Sequence, residues 1–528
     1  MSAETYSDPA GSGRDDVMVG RLDADANIAD LVTSAACRGP SHPALIDVNA
    51  DGATRELTWR ELDSAVAAEA HRLRHAGLAV GDRVAVCLSA GAAFCVTLFG
   101  ALRAGGVVVP LPTSSPATEL RRIIVDSGAR VLVVDDGMSG CEVQTLPPPA
   151  LTPQDATAVE PEGAPTGGSD LAILAYTSGT SGPPRAAMLS HGALLANVRQ
   201  CARLRPMPVN AADRVLVALP LFHAYGLGPG LLQVASVGAT AVLLPRFDPE
   251  RSLHAIDRLR VTSVVGVPSM YHAWLRLPAE RLREGMSTVR LLTSGAAPLG
   301  AGTATAVRTA TGLDVFEGYG LTETGPVLTT TLAGGQAKPG SVGRPLPGVE
   351  IRLVDSDGDP LEDDGDTGSV SVRGPNLFSG YWPDGLHGPD DQGWFRTGDV
   401  GYFDSDGDLH LVDRANDLII VNGFNVYPHE VEDTLLELDG VQEAAVVGVA
   451  DDATGEAVKA VIVRRPGVEL PAAEVREHCA ARLAKFKLPT CIEFAETLPH
   501  SPTGKLARRA LRDVAEWPVN GDANVRGR

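Results

Sequence analysis

The stretch YTSGTSGPPRAAMLSH, residues 176–191, decides how the rest of the chain is read. Tyr176 to Gly182 carry five hydroxyl side chains and two glycines, and the apolar run Leu171-Ala172-Ile173-Leu174-Ala175 feeds into them. Helix-like spacing resumes at His191. A strand that delivers a Gly/Ser/Thr loop is a common way to hold phosphate: glycines let backbone N–H groups turn toward the oxyanions, and hydroxyls add donors. An ordinary polar turn has the same composition, so the loop alone leaves both readings open. The lack of Gly-Lys-Ser/Thr excludes a Walker-type NTPase.

Around this loop the composition is that of a multidomain globular protein. At 528 residues the chain exceeds one ordinary core, and 44% apolar residues is a normal fraction. A net charge of -21 argues against nucleic-acid binding, since no basic excess is available to neutralise phosphates. The seven cysteines are widely spaced without a CxxC pair, which suggests neither a disulfide framework nor a zinc site. The first twenty residues are polar and lack the apolar core of a signal peptide, and no apolar run approaches the ~20 residues that span a bilayer. A cytoplasmic protein is expected.

Upstream, Thr58 with Glu61 forms a helix-entry capping pattern, continued by an amphipathic segment over 65–78. His71 and His75 have metal-compatible spacing there, but no Glu completes a metalloprotease signature and Arg72 and Arg74 mark a solvated face. Strands at 83–88, 107–111 and 131–134 alternate with helices at 92–103 and 117–127; such continuous β-branched runs predict a parallel α/β sheet covered on both faces. A Pro/Ala/Thr/Gly-rich connection over 146–168 precedes the loop, and further strands at 215–218, 240–244, 263–267 and 290–293 follow it, with a helix at 231–237. Beyond Gly340 short strands alternate with turns, two of them Asp-Ser-Asp-Gly-Asp at 355–359 and 404–408. These suit hairpins. Ala415 stands where a calcium loop needs its twelfth-position Glu, so calcium is not expected. Residues 417–517 read as a small α+β domain, followed by a loose tail.

Several strand-end loops carry chemistry-bearing residues. Leu219-Pro220-Leu221-Phe222-His223-Ala224-Tyr225-Gly226 presents a histidine, and Thr293-Ser294-Gly295-Ala296-Ala297-Pro298 presents small residues against which a flat ring could lie. Glu317-Gly318-Tyr319-Gly320-Leu321-Thr322-Glu323 offers an aromatic face, a hydroxyl and a carboxylate suited to Mg²⁺ beside phosphates. Asp399 in Gly393-Trp394-Phe395-Arg396-Thr397-Gly398-Asp399 is placed to accept ribose hydroxyls, and Pro502-Thr503-Gly504-Lys505 puts a lysine on a turn. Singly, each is as compatible with an ordinary turn or a solvated charge.

In this order, over residues 25–515, they resemble the adenylate-forming superfamily of acyl-CoA synthetases, non-ribosomal adenylation domains and luciferases. The resemblance implies an α/β fold: a large N-terminal domain of doubly wound sheets plus a β-barrel over 25–415, and a small mobile C-terminal α+β domain over 416–516, flanked by a flexible start (1–24) and a tail (517–528). It implies activation of a carboxylic acid, fatty or otherwise hydrophobic, by MgATP to an acyl-adenylate, then transfer to the thiol of CoA or of a carrier protein's phosphopantetheine. A non-catalytic acyl- or nucleotide-binding relative is the alternative. By the same resemblance Thr177, Ser178, Gly179, Thr180, Ser181 and Gly182 cradle the phosphates. Gly295, Ala296, Ala297, Glu317, Gly318, Tyr319 and Gly320 surround the adenine. Thr322 meets the α-phosphate, Glu323 and Thr180 hold Mg²⁺, and Asp399 and Arg414 meet the ribose. Lys505 bridges the reacting oxygens. His223 stands at the acyl pocket, and Gly423 lines the pantetheine tunnel once the small domain rotates.

Two departures stand out. Where the family loop continues Gly-Lys-Pro-Lys-Gly, this chain has Gly182-Pro183-Pro184-Arg185-Ala186. Arg185 keeps a cation near pyrophosphate, whereas Pro183 cannot donate. The family hinge, generally Asp or Lys, is Asn416, which tolerates left-handed dihedrals. An α-amino acid substrate is disfavoured, because His223 stands in a motif where amino-acid activators carry an Asp. The remaining pocket residues, Val267, Met270, Tyr271, Gly295, Gly320 and Val327, are mostly apolar.

Overall fold

Two sheets carry the larger part of the chain, and both arise from the β-branched runs that alternate with helices. A computed structural model describes residues 23, 25–49, 51–135, 143–151, 163–177, 185–355, 357–361, 366–414, 419–421, 424–451, 455–500, 506 and 508–512. The first sheet runs, in spatial order, Gln144–Leu146, Ala129–Val134, Arg83–Cys87, Val107–Pro110, Leu171–Thr177 and Arg185–Ser190. All neighbours are parallel except the last pair, an antiparallel hairpin. The second has nine strands. Its six central ones are parallel: Val315–Tyr319, Leu291–Ser294, Ser263–Gly266, Arg214–Val217, Thr240–Leu243 and Pro43–Val48.

Helix Ala92–Arg103 explains how the two sheets share one core. Nearly every side chain in AAFCVTLFGALR is buried, which an amphipathic surface helix cannot achieve. Phe94, Leu98 and Phe99 join a cluster that includes Val84 and Val108 of the first sheet and Leu45 and Val242 of the second. The preceding helix, Trp59–His75, starts with the expected capping box: Thr58 Oγ1 accepts from Glu61 N at 3.3 Å, while Thr58 N donates to Glu61 Oε2 at 2.7 Å. It stops at His75, before the expected Leu78, because Gly77 takes φ 84°.

The short strands expected after Gly340 form, among the described residues, a four-stranded antiparallel sheet of Glu350–Val354, Gly368–Arg373, Phe395–Phe403 and Leu409–Arg414, bridged at Leu409 to Gly343. Its Asp-rich turns close on themselves. Asp355 Oδ1 accepts from the N–H groups of Asp357, Gly358 and Asp359, and Asp404 Oδ1 from those of Asp406 and Asp408. Asp404, Asp406 and Asp408 converge closely enough for a cation, yet the charge they surround is Lys338 Nζ, at 2.6, 2.8 and 3.2 Å.

The smaller C-terminal domain has its own core. Val441–Asp451, Gly455–Arg464 and Cys491–Ala495 form its main ladder, and helices Pro428–Leu436 and Ala472–Ala480 bury Val431, Leu435 and Val475 against Val446 and Ile462. Among the described residues no helix is long and apolar enough to cross a membrane.

His191 fastens the base of the hairpin of Leu171–Thr177 and Arg185–Ser190 to Asn27 and Ile28. Its Nδ1 accepts from Ile28 N at 3.2 Å, which requires the neutral ring with the proton on Nε2, facing Thr166 Oγ1 at 3.5 Å. Asn27 Nδ2, at 3.3 Å from the same nitrogen, already donates to the carbonyls of Leu102 and Thr166. Burial pushes the His191 pKa down to about 4. The unfolded chain, with His near 6.5, therefore binds the extra proton between these values, so stability is full above pH 6.5 and declines as pH falls toward 4, by up to roughly 3 kcal/mol. We expect denaturant melts of wild type to show this decline, and His191→Gln to be less stable at pH 7 with a flatter profile over that interval.

Candidate active site

The parallel topology gathers the expected site loops before any side chain is considered. Strands Val315–Tyr319, Leu291–Ser294, Ser263–Gly266 and Arg214–Val217 are consecutive neighbours pointing the same way, so the segments that follow them leave along one edge. Ligands of such sheets bind outside the carboxyl ends of the strands. That edge receives the segments bearing His223 and Tyr225, Gly295 to Ala297, and Gly320 to Glu323.

Backbone packing explains the small residues. A Cβ on Gly320 would lie 1.8 Å from Pro326 O, and one on Gly295 would lie 2.7 Å from the Tyr225 ring. Ala296 holds φ 67°, a left-handed conformation uncommon for a residue with a Cβ. Tyr225 Oη reaches Thr293 Oγ1 at 3.5 Å, and Tyr271 Oη donates to Thr293 O at 2.6 Å. His223 Nδ1 accepts from Tyr225 N at 3.2 Å. Immediately after Tyr225 the chain winds as a π-helix, Gly226–Leu232, where the sequence predicts a helix only from 231. Wide turns of this kind are frequent at functional sites. A small apolar cavity lies between this segment and the phosphate-loop hairpin, bordered by Phe222, Leu227, Pro326, Ile173 and Leu189.

Tyr319 and Asp399, 80 residues apart, meet directly: the phenol donates to Asp399 Oδ2 at 2.6 Å. Asp399 is 6% exposed and pairs in register with Arg414 on the neighbouring strand. Glu317 is buried, with Leu299 N donating to its Oε2 at 3.1 Å, and burial raises its pKa to about 7. Gly318 pairs with Thr330 on the adjacent strand. Thr322 and Glu323 lie in a single 3₁₀ turn pinned by Thr324 Oγ1, which accepts from Leu321 N and donates to Pro326 O. Glu323 is buried, and its Oε1 accepts from Tyr381 Oη at 2.6 Å. Among the described residues it has no ion-pair partner.

The segment expected to hold phosphate connects two antiparallel strands, Leu171–Thr177 and Arg185–Ser190. Thr177 pairs with Arg185, and Thr177 Oγ1 lies 3.4 Å from Arg185 O, so these two residues form the neck. Strand Arg185–Ser190 separates the loop from helix His191–Ala202; the helix N-terminus expected to follow the loop is capped by Ser190 Oγ and belongs to the base of the hairpin. Ser178, Gly179, Thr180, Ser181 and Gly182 lie outside the described residues, as do Asn416, Gly423 and Lys505.

Two residues bear on this site that the sequence reading did not single out. Asp126 accepts from Tyr176 Oη at 2.5 Å, next to the neck. Tyr381 touches Glu323 and lies under Arg185, whose guanidinium carbon stands 5.6 Å from the ring centroid. No spacing rule signals either one, because each acts across a large gap in the chain.

The AMP-binding enzyme family model matches residues 32–382, and that of the AMP-binding enzyme C-terminal domain matches residues 430–505. A feruloyl-CoA synthase of Amycolatopsis sp is 39% identical over 467 residues, covering 86% of this chain and 93% of the relative. A long-chain-fatty-acid–CoA ligase of Bacillus subtilis (strain 168) is 31% identical over 536 residues, covering 92% and 94%. ATP-bound MatB from Rhodopseudomonas palustris superposes with a TM-score of 0.85 at 34% identity, covering 93% of this chain and 98% of that one. The chain therefore belongs to the AMP-binding enzyme family and is an AMP-forming acid–thiol ligase of the acyl-CoA synthetase type.

Proposed function

We propose that the protein couples ATP cleavage to the activation of a hydrophobic carboxylic acid and transfers the acyl group to coenzyme A. The observation that carries this reading is the meeting of Tyr319 and Asp399, which combines an aromatic face with a carboxylate able to accept both ribose hydroxyls. In it, the neck residues Thr177 and Arg185 and the loop between them hold the β- and γ-phosphates. Gly295 to Ala297 and Glu317 to Gly320 enclose the adenine, and Thr322 donates to the α-phosphate. The buried Glu323, with one oxygen taken by Tyr381 and no cation beside it among the described residues, fits a Mg²⁺ ligand. Thr180 is its proposed partner in that role. When bound, that ion supplies charge neutralisation at the phosphates.

The substrate carboxylate attacks the α-phosphorus and pyrophosphate leaves, giving the acyl-adenylate. The thiolate of CoA then attacks the acyl carbonyl and AMP leaves. Lys505 offsets the charge that develops on the oxygens in the first step. Arg414 supports Asp399, His223 borders the acyl pocket, and Gly423 serves the thiol step after rotation of the C-terminal domain about Asn416. The named relatives are a feruloyl-CoA synthase and a long-chain-fatty-acid–CoA ligase. Tyr225 packs against Gly295 and Tyr271 Oη donates to Thr293 O at the strand ends, and we read these aromatic side chains as favouring a flat or short hydrophobic acid. Coenzyme A, the acceptor in the relatives' names, is preferred to a carrier-protein thiol.

Acid-dependent ATP–pyrophosphate exchange tests the reading, with ferulate, cinnamate, benzoate, octanoate and palmitate offered separately. Exchange is expected with the flat or short acids above palmitate; none with any acid would refute activation. Arg185→Ala should raise the KM for ATP about tenfold, and an unchanged KM would remove Arg185 from the phosphate site. Asn416→Pro should block thioester formation while impairing exchange less, and equal loss of both would refute the hinge.

A further inference from the structure

Tyr381 occupies an unusual place between two opposite charges. Its hydroxyl donates to Glu323 Oε1 at 2.6 Å, and its ring lies beneath Arg185 at 5.6 Å from the guanidinium carbon. Among the described residues Arg185 and Glu323 form no direct ion pair. A cation over an aromatic face is attracted by the ring quadrupole, so the same side chain satisfies both groups without letting them neutralise each other.

The backbone around Tyr381 is built into both halves of the site. Phe378 N donates to Glu323 O at 2.9 Å. Ser379 N donates to Met188 O, Met188 N to Gly380 O, and Trp382 N to Ala186 O, at 2.9, 3.0 and 2.9 Å. Segment 378–382 is thus an extra edge on strand Arg185–Ser190 and a direct attachment to the Glu323 turn. Phe378 packs edge-on against Tyr381 at 5.0 Å and against Phe395 at 4.9 Å, fixing the ring plane.

The geometry points to Tyr381 as a positioning residue for the metal–nucleotide complex. Its hydroxyl orients the Glu323 carboxylate so that the other oxygen is presented to the metal, and its ring holds Arg185 over the phosphate-loop neck, apart from that carboxylate. This rests on the proposed roles of Glu323 and Arg185, and the two effects are separable by chemistry: phenylalanine removes the first and leucine removes both.

Binding of Mn²⁺ and of α,β-methylene-ATP to the full chain, followed by calorimetry and by Mn²⁺ electron paramagnetic resonance, tests it without knowledge of the acid. Wild type that fails to bind Mn²⁺ with the analogue refutes the functional reading itself. Given wild-type binding, Tyr381→Phe should weaken Mn²⁺ by about 5- to 20-fold while leaving analogue affinity at saturating Mn²⁺ within about twofold. Tyr381→Leu should weaken both, and adding Arg185→Ala to it should cost less than Arg185→Ala costs in wild type. Unchanged or tighter Mn²⁺ binding by Tyr381→Phe overturns the inference. So does an equal loss of Mn²⁺ and analogue accompanied by a lower melting temperature, which is the signature of a merely structural side chain.

Discussion

Strand Arg185–Ser190 is hydrogen-bonded on both edges, and the site is arranged around that fact. One edge pairs antiparallel with Leu171–Thr177 and closes the hairpin whose crown is the Gly/Ser/Thr loop. The other receives segment 378–382. An unpaired edge would leave backbone groups to water and let the hairpin shift in register. Pairing both edges fixes the neck residues Thr177 and Arg185 and brings Tyr381 to Glu323. The hairpin neck and the acidic turn therefore share one support although 138 residues separate their reference points, Arg185 and Glu323.

The base of the same hairpin is secured by different means. There the contact is a neutral histidine, His191, accepting from Ile28 N, rather than a ladder. A buried imidazole used as an acceptor holds only while it stays unprotonated, so the anchor couples the chain's start to the hairpin above a pH set by burial. At the opposite end of the chemistry, Tyr319 and Asp399 connect the nine-stranded sheet to the antiparallel sheet. Each joint rests on polar contacts of a buried side chain, His191 or Asp399, where a hydrogen bond is strong and its loss costly.

Close approach replaces side chains in the floor of the site. Gly320 exists because Pro326 O occupies the place of its Cβ, and Gly295 because Tyr225 does. Glycines that read in the sequence as room for a ligand are thus partly room for neighbours.

By itself the sequence determined the alternation of buried strands and helices, the capping box at Thr58, the Asp-rich turns and the order of the loops that carry the chemistry. These are local or periodic features, set by propensity, side-chain period and hydrogen bonds within a few residues. Only the tertiary structure decided that the strands flanking the Gly/Ser/Thr segment pair antiparallel, that Lys338 sits among three aspartates, that a π-helix follows Tyr225, and that Tyr381 meets Glu323 and Tyr176 meets Asp126. Those contacts join residues 58 apart for Tyr381 and Glu323, 80 apart for Tyr319 and Asp399, and 163 apart for Ile28 and His191. A spacing of that length has no period to read: sheet order and edge pairing, which follow from packing the whole chain, set which distant side chains meet.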